Sequence, residues 1–104
     1  MFSTLDELQK YSLDNPSKLI ILKFEAKWCA PCKAIKPFID YLINEYPNVE
    51  FHIVDIEDDD THALTESIDI AKVPTFIYYK NGNVCSTIIG TNKENIENTL
   101  NDNL

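Results

Sequence analysis

The sequence predicts an α/β fold, a central mixed four-stranded sheet flanked by helices, and three observations carry that prediction. Leu19-Ile20-Ile21-Leu22-Lys23-Phe24 is a short, nearly continuous apolar run rich in β-branched residues, as a buried parallel strand requires. A helical pattern and a second strand pattern follow it, giving a strand–helix–strand unit with a right-handed crossover. Asn81-Gly82 then joins two strand-like segments, a strong local signal for a hairpin.

Taken in order, Ser3-Thr4 precedes Leu5, Leu8, Tyr11 and Leu13, and Asp6 and Glu7 fall in the first turn, so the chain opens with a capped amphipathic helix. Asn15-Pro16 stops it. After the first strand, Ala34, Ile35, Phe38, Ile39, Leu42 and Ile43 recur at three and four spacings. They predict a helix from about Pro31 to Tyr46, kinked by Pro37, which removes one backbone bond and crowds the preceding turn. Val49 to Ile56 alternates as a second strand, and His62 to Ile68 suggests a helix. Thr75 to Tyr79 and Val84 to Ile89 form the hairpin strands. A last helix, entered at Thr91 or Asn92, uses Ile96 and Leu100. Helices then cover both faces of the sheet.

A chain of 104 residues fits one domain, 1–104. No apolar run approaches the roughly 20 residues that span a bilayer. Met1 to Asn15 lacks the basic start and apolar stretch of a secretory signal. The net charge of −8 argues against nucleic acid or an anionic membrane as a general partner. Glu57-Asp58-Asp59-Asp60 reads as a solvated loop or helix start, since it lacks the alternating ligands, central Gly and distal Glu of a calcium loop.

Three cysteines always leave one unpaired, so they cannot form a disulfide framework. Few cysteines in a chain without a signal point to a reducing, cytoplasmic setting, where a close pair is catalytic or metal-binding. Cys29 and Cys32 follow a buried strand at a helix start. The unpaired N–H groups and positive dipole end there favour a thiolate, lowering the pKa of Cys29 and making it the attacking group. Cys32, one turn on, is within disulfide reach, more buried, and resolves the mixed disulfide. Pro31 suits the first turn, where its missing N–H has no helical partner. The competing reading is half of a zinc site, but Cys85, His52 and His62 supply no second close pair. Those two histidines read as a strand residue and a helix-surface residue. Val73-Pro74 before a strand could be a simple turn, and Trp28 either a packing aromatic or the wall of a substrate groove.

Trp28-Cys29-Ala30-Pro31-Cys32-Lys33 resembles the WCGPCK signature of the thioredoxin family, and Ala34-Ile35-Lys36-Pro37-Phe38 continues in its style. Lys72-Val73-Pro74-Thr75-Phe76 resembles the family's cis-proline loop. Tyr79-Lys80-Asn81-Gly82-Asn83 and Gly90 match its hairpin and the glycine before its last helix. The resemblance spans nearly the whole chain. It implies the thioredoxin fold, with a cis-Pro74 beside a Cys29–Cys32 disulfide and a groove where Val73's backbone pairs with an extended substrate. It implies a protein-disulfide reductase regenerated by an external reductant such as thioredoxin reductase or glutathione, serving cell redox homeostasis and electron transport. No bound cofactor is expected: the only glycines are Gly82 and Gly90, so there is no nucleotide- or flavin-binding loop. The alternative is a redox-sensitive protein-binding module in which exchange is weak or incidental.

Departures from the family pattern sharpen these expectations. The family has a buried acid six positions before the first cysteine, thought to move the second cysteine's proton; here that position is Lys23. The family's lysine partner on the neighbouring strand aligns with Ile53. Lys23 must snorkel out, pair with a carboxylate such as Asp55, or lose its proton, unless it simply points to solvent at the strand's end. Charged and near Cys32, it would act as a pKa-tuning residue, stabilise a thiolate and raise the reduction potential. Ala30 replaces a glycine, with mild effects expected. Ala-Pro between the cysteines favours a reductase over an isomerase. Only Met1 and Phe2 precede the first helix, so the family's N-terminal edge strand is missing or vestigial. Cys85 is expected to be a buried apolar thiol.

Overall fold

The computed structural model describes residues 2–104. Its elements are α1 (Leu5–Asp14), β1 (Ile20–Glu25), α2 (Ala30–Ala34), α3 (Lys36–Glu45), β2 (Glu50–Asp55), a 3₁₀ turn (Asp59–Thr61), α4 (His62–Ile68), β3 (Thr75–Lys80), β4 (Asn83–Ile89) and α5 (Lys93–Asp102). The strands form one mixed sheet in the order β2-β1-β3-β4. β1 pairs parallel with β2 and antiparallel with β3, and β3 and β4 form the hairpin. Among the described residues no strand precedes α1, so β2 is an open edge.

The period of two along β1 divides the interior. Leu19 and Ile21 point to the face covered by α3 and α5, packing with Ile39, Leu42, Phe76, Tyr78, Ile96 and Leu100. Ile20, Leu22 and Phe24 point to the face covered by α1 and α4, with Leu8, Val54, Leu64, Ile77 and Tyr79. Each buried Leu or Ile contributes about 1.5–3 kcal/mol relative to exposure, which fixes the strand's register. The buried Tyr78 hydroxyl donates to the Ile96 carbonyl at 2.8 Å, tying α5 to the sheet.

Caps explain the helix starts. Thr4 accepts from Glu7 N–H, and Asn92 accepts from Asn95 N–H, each such cap being worth about 1 kcal/mol. The helix expected from Pro31 to Tyr46 is two helices, and the break falls at Ile35, two residues before the expected kink at Pro37. Pro37 has no N–H for the Lys33 carbonyl and its ring crowds that turn, so the older helix ends and Pro37 sits in the first turn of α3. At the hairpin tip Asn81 and Gly82 have φ of 53° and 79°, as a two-residue turn of this hand demands. Gly82 N–H also donates to the buried Ser12 hydroxyl at 2.9 Å, and a side chain there would strike Leu13.

Cys85 corrects one expectation: it is exposed, not buried. Tyr78 pairs with Ser86 and Tyr79 with Val84, leaving Cys85 as the extra residue of a bulge on an edge strand. The acidic run is exposed, as a solvated turn should be, and Asp58 caps it by accepting from Asp60 N–H.

Candidate active site

β1 delivers the chain to the end of the sheet, and the turn at Ala26 to Trp28 feeds it into α2. Cys29 is the N-cap of that helix, and its Sγ accepts from the Cys32 N–H at 3.2 Å. The two cysteines form a disulfide with Cα atoms 5.3 Å apart. Both sulfur-bearing residues are buried, packed with Ala26 and touched by Ile56 and Val73. Pro31 lies exposed in the first turn of α2. Trp28 stands out beside the pair with 66% of its surface exposed, unlike a core aromatic.

The Val73–Pro74 peptide is cis. Its loop is pinned on both sides: the Thr75 hydroxyl donates to the Lys72 carbonyl at 2.6 Å, and Gly90 N–H donates to the Pro74 carbonyl at 3.0 Å. Pro74 is buried while Val73 is half-buried against the disulfide cluster. The structure thus brings Trp28, Cys29, Pro31, Cys32, Val73 and Pro74 to one end of the sheet.

Lys23 belongs to the same centre, on the opposite flank. It is 2% exposed, so it neither snorkels out nor points to solvent. Its Nζ donates to the Cys32 carbonyl at 2.9 Å and pairs with Glu25 Oε1 at 2.8 Å. The partner is therefore Glu25, not Asp55. Asp55 instead accepts from Glu57 N–H. Sequence reasoning passed over Glu25, although the signal was present: residues two apart on a strand share a face, which puts Glu25 beside Lys23 on the α3 side. Ile53 lies directly opposite Lys23 on β2 and offers it no charge.

Of the remaining candidates, His52 is half-buried and contacts Glu50 at 2.7 Å, while His62 is exposed and contacts Glu66 at 2.9 Å. Among the described residues no group of three or more His, Cys, Asp or Glu side chains converges on a metal-sized site. Nor is any helix of these residues long and apolar enough to cross a membrane.

A family model described as Thioredoxin matches residues 3–102. The chain belongs to the thioredoxin family. It is 40% identical over 84 residues to the thioredoxin of Ophiophagus hannah, covering 81% of this chain and 78% of the relative. The X-ray structure of Fasciola hepatica thioredoxin superposes with a TM-score of 0.86 at 30% identity, covering 98% of this chain and 96% of the other. Another similar chain, at TM-score 0.83 and 29% identity over 97% and 92% of the two, comes from work on thiol resolution in yeast mitochondrial 1-Cys peroxiredoxin via glutathione/thioredoxin systems. Membership and the Cys29–Cys32 pair together make this thioredoxin-family chain a thiol–disulfide oxidoreductase acting by dithiol–disulfide exchange.

Proposed function

We propose that Cys29 attacks a disulfide of a protein client and that Cys32 resolves the resulting mixed disulfide. The observation that carries this division is the Cys32 N–H aimed at Cys29 Sγ at 3.2 Å. A donor fixed on that sulfur at a helix start favours its thiolate, the form that attacks. In this reading Trp28 and Val73 wall the client groove. The main chain of Val73 pairs with an extended client segment, and Pro74 shapes the groove without offering a competing N–H or thiol. Pro31 holds the first turn of α2. Lys23, charged beside the Cys32 main chain, stabilises a thiolate on Cys32 and makes the couple more oxidising than a neutral residue would.

Electrons return from an external reductant of the thioredoxin reductase or glutathione kind. A chain in this role carries electrons for redox homeostasis in a reducing compartment, the cytoplasm fitting its sparse cysteines. Insulin disulfide reduction driven by dithiothreitol tests the division of labour. Wild type should exceed background, Cys29→Ser should fall to background, and Cys32→Ser should accumulate a mixed disulfide at Cys29. A wild type at background, or a trapped adduct on Cys32, would overturn the reading.

A further inference from the structure

When a client occupies the groove, the sulfur of Cys29 is covered from that side, yet the resolving step still requires buried Cys32 to lose a proton. The flank away from the groove offers a way out. A cavity of about 180 Å³ lies there, walled by Cys32, Lys23 and Glu25 and by apolar Ile39 and Ile53. One water needs only roughly 10–15 Å³ of such space and two or more polar partners, and this cavity exceeds the first and supplies the second. Glu25 lines it and also meets solvent: its side chain is about one-third exposed (32%) while its Oε1 holds the buried Lys23 ammonium at 2.8 Å. The other carboxylate on the cavity, Asp40, is held by Lys36 at 3.1 Å on the exposed surface of α3.

We propose that Glu25 is a positioning residue for resolution, holding Lys23 against the Cys32 main chain and taking the Cys32 proton through water in this cavity. The inference rests on the exchange reading above and deepens it. With Cys29 joined to a client sulfur, the Cys32 thiol gives its proton through water to the Glu25 carboxylate. The Cys32 thiolate attacks Cys29 Sγ, the Cys29–Cys32 bond forms, and the bond from Cys29 to the client breaks. The electron pair leaves on the client sulfur, which takes a proton from solvent; the protein's dithiol is oxidised as the client disulfide is reduced. Glu25 then releases its proton through its exposed side. Around Glu25 the charged groups are Lys23 on its own strand, Asp55 opposite on β2, Lys33 on α2, and Lys36 and Asp40 on α3. Asp55, the residue opposite Glu25 on β2, serves as the carboxylate control in the test.

Reduced protein mixed with dithiobis(nitrobenzoate) releases thionitrobenzoate twice, first as Cys29 attacks and again as Cys32 resolves. Glu25→Gln should slow the second release about tenfold and flatten its acid limb, because the amide cannot take up the proton. The first release should stay within about twofold of wild type, because a change confined to one step leaves the other's barrier intact. Glu25→Asp should restore most of the rate, and Asp55→Asn should behave as wild type. The proposal is overturned if the second release keeps its rate or its pH profile in Glu25→Gln, if both releases slow alike, or if Asp55→Asn loses as much. Should Glu25→Gln fail to fold, Glu25→Asp decides: a displaced acid limb supports the role and an undisturbed one rejects it. A wild type without any second release removes the exchange reading itself, a result distinct from all of these.

Discussion

Two charge clusters sit at opposite ends of the same β1–β2 ladder, five steps apart and so about 16 Å at roughly 3.3 Å per residue. At the far end from the disulfide, Glu50 is gripped from several directions. The Tyr11 hydroxyl donates to it at 2.6 Å, His52 contacts it at 2.7 Å, Lys18 stands at 3.5 Å, and the Phe2 ring packs on both Tyr11 and His52. At the near end Lys23 has one carboxylate and one carbonyl, and the carbonyl belongs to Cys32. Glu50 gathers α1, β2 and the strand entry, whereas Lys23 joins a carboxylate to the main chain of a reactive cysteine. The two clusters differ in what they touch: Glu50 is held by structural groups alone, whereas Lys23 shares a contact with Cys32.

The largest effect expected from breaking this contrast is on stability at the near end. Glu25→Leu leaves the Lys23 ammonium buried without a counter-charge and should cost about 2–3 kcal/mol, somewhat below the figure for a fully buried pair because Glu25 keeps part of its exposure. Urea denaturation measures it, and adding Lys23→Met should recover most of the loss; if the double variant is no more stable than Glu25→Leu, the pair is not the cause. A smaller change is expected in the redox equilibrium. Lys23→Met removes the positive charge beside Cys32 and should move the potential to more negative values, about 30 mV for each tenfold in the exchange constant. Equilibration with a glutathione buffer reads the shift, and an unchanged or more positive potential refutes the assignment of Lys23.

The smallest effect belongs to the far end. Burial works to raise the Glu50 pKa, but hydrogen bonds from Tyr11 and His52, with the charges of His52 and Lys18, outweigh it and leave the carboxyl below its usual range. A depressed folded-state pKa means stability that is present above the ordinary carboxylate range and lost as pH falls through the folded value. Glu50→Gln should therefore cost less than about 1 kcal/mol at neutral pH, as partly exposed pairs do, with the difference from wild type shrinking in acid. The potential of Cys29–Cys32 should not move. If it did, the two ends would not be independent.

Much of this was legible in the residue order. The strand and helix patterns, the hairpin at Asn81-Gly82 and the cysteine pair at a helix start rest on local periodicity and turn chemistry, which a sequence displays directly. The cis bond before Pro74 was legible through the family resemblance alone, since Val73-Pro74 by itself also suits an ordinary turn. What escaped depends on neighbours distant in sequence or on local crowding. Burial of Cys85 could not be judged without knowing that β4 is a bulged edge. The pattern places a kink at Pro37, whereas the helix breaks at Ile35 because Pro37 acts on the turn before it. Asp55 on the neighbouring strand reads as a partner for Lys23, although the pleat puts Glu25 on its face.

The location of that pair on a single strand has a consequence for how such a site changes over generations. A charge pair split between two strands needs matched substitutions in distant parts of a gene, and it depends on the register between those strands. Lys23 and Glu25 are separated by one residue, and the pleat alone sets their approach. An edge strand such as β2 can loosen without undoing them. A stretch of three codons is enough to install, invert or erase the charges beside Cys32 while the surrounding sheet stays as it is.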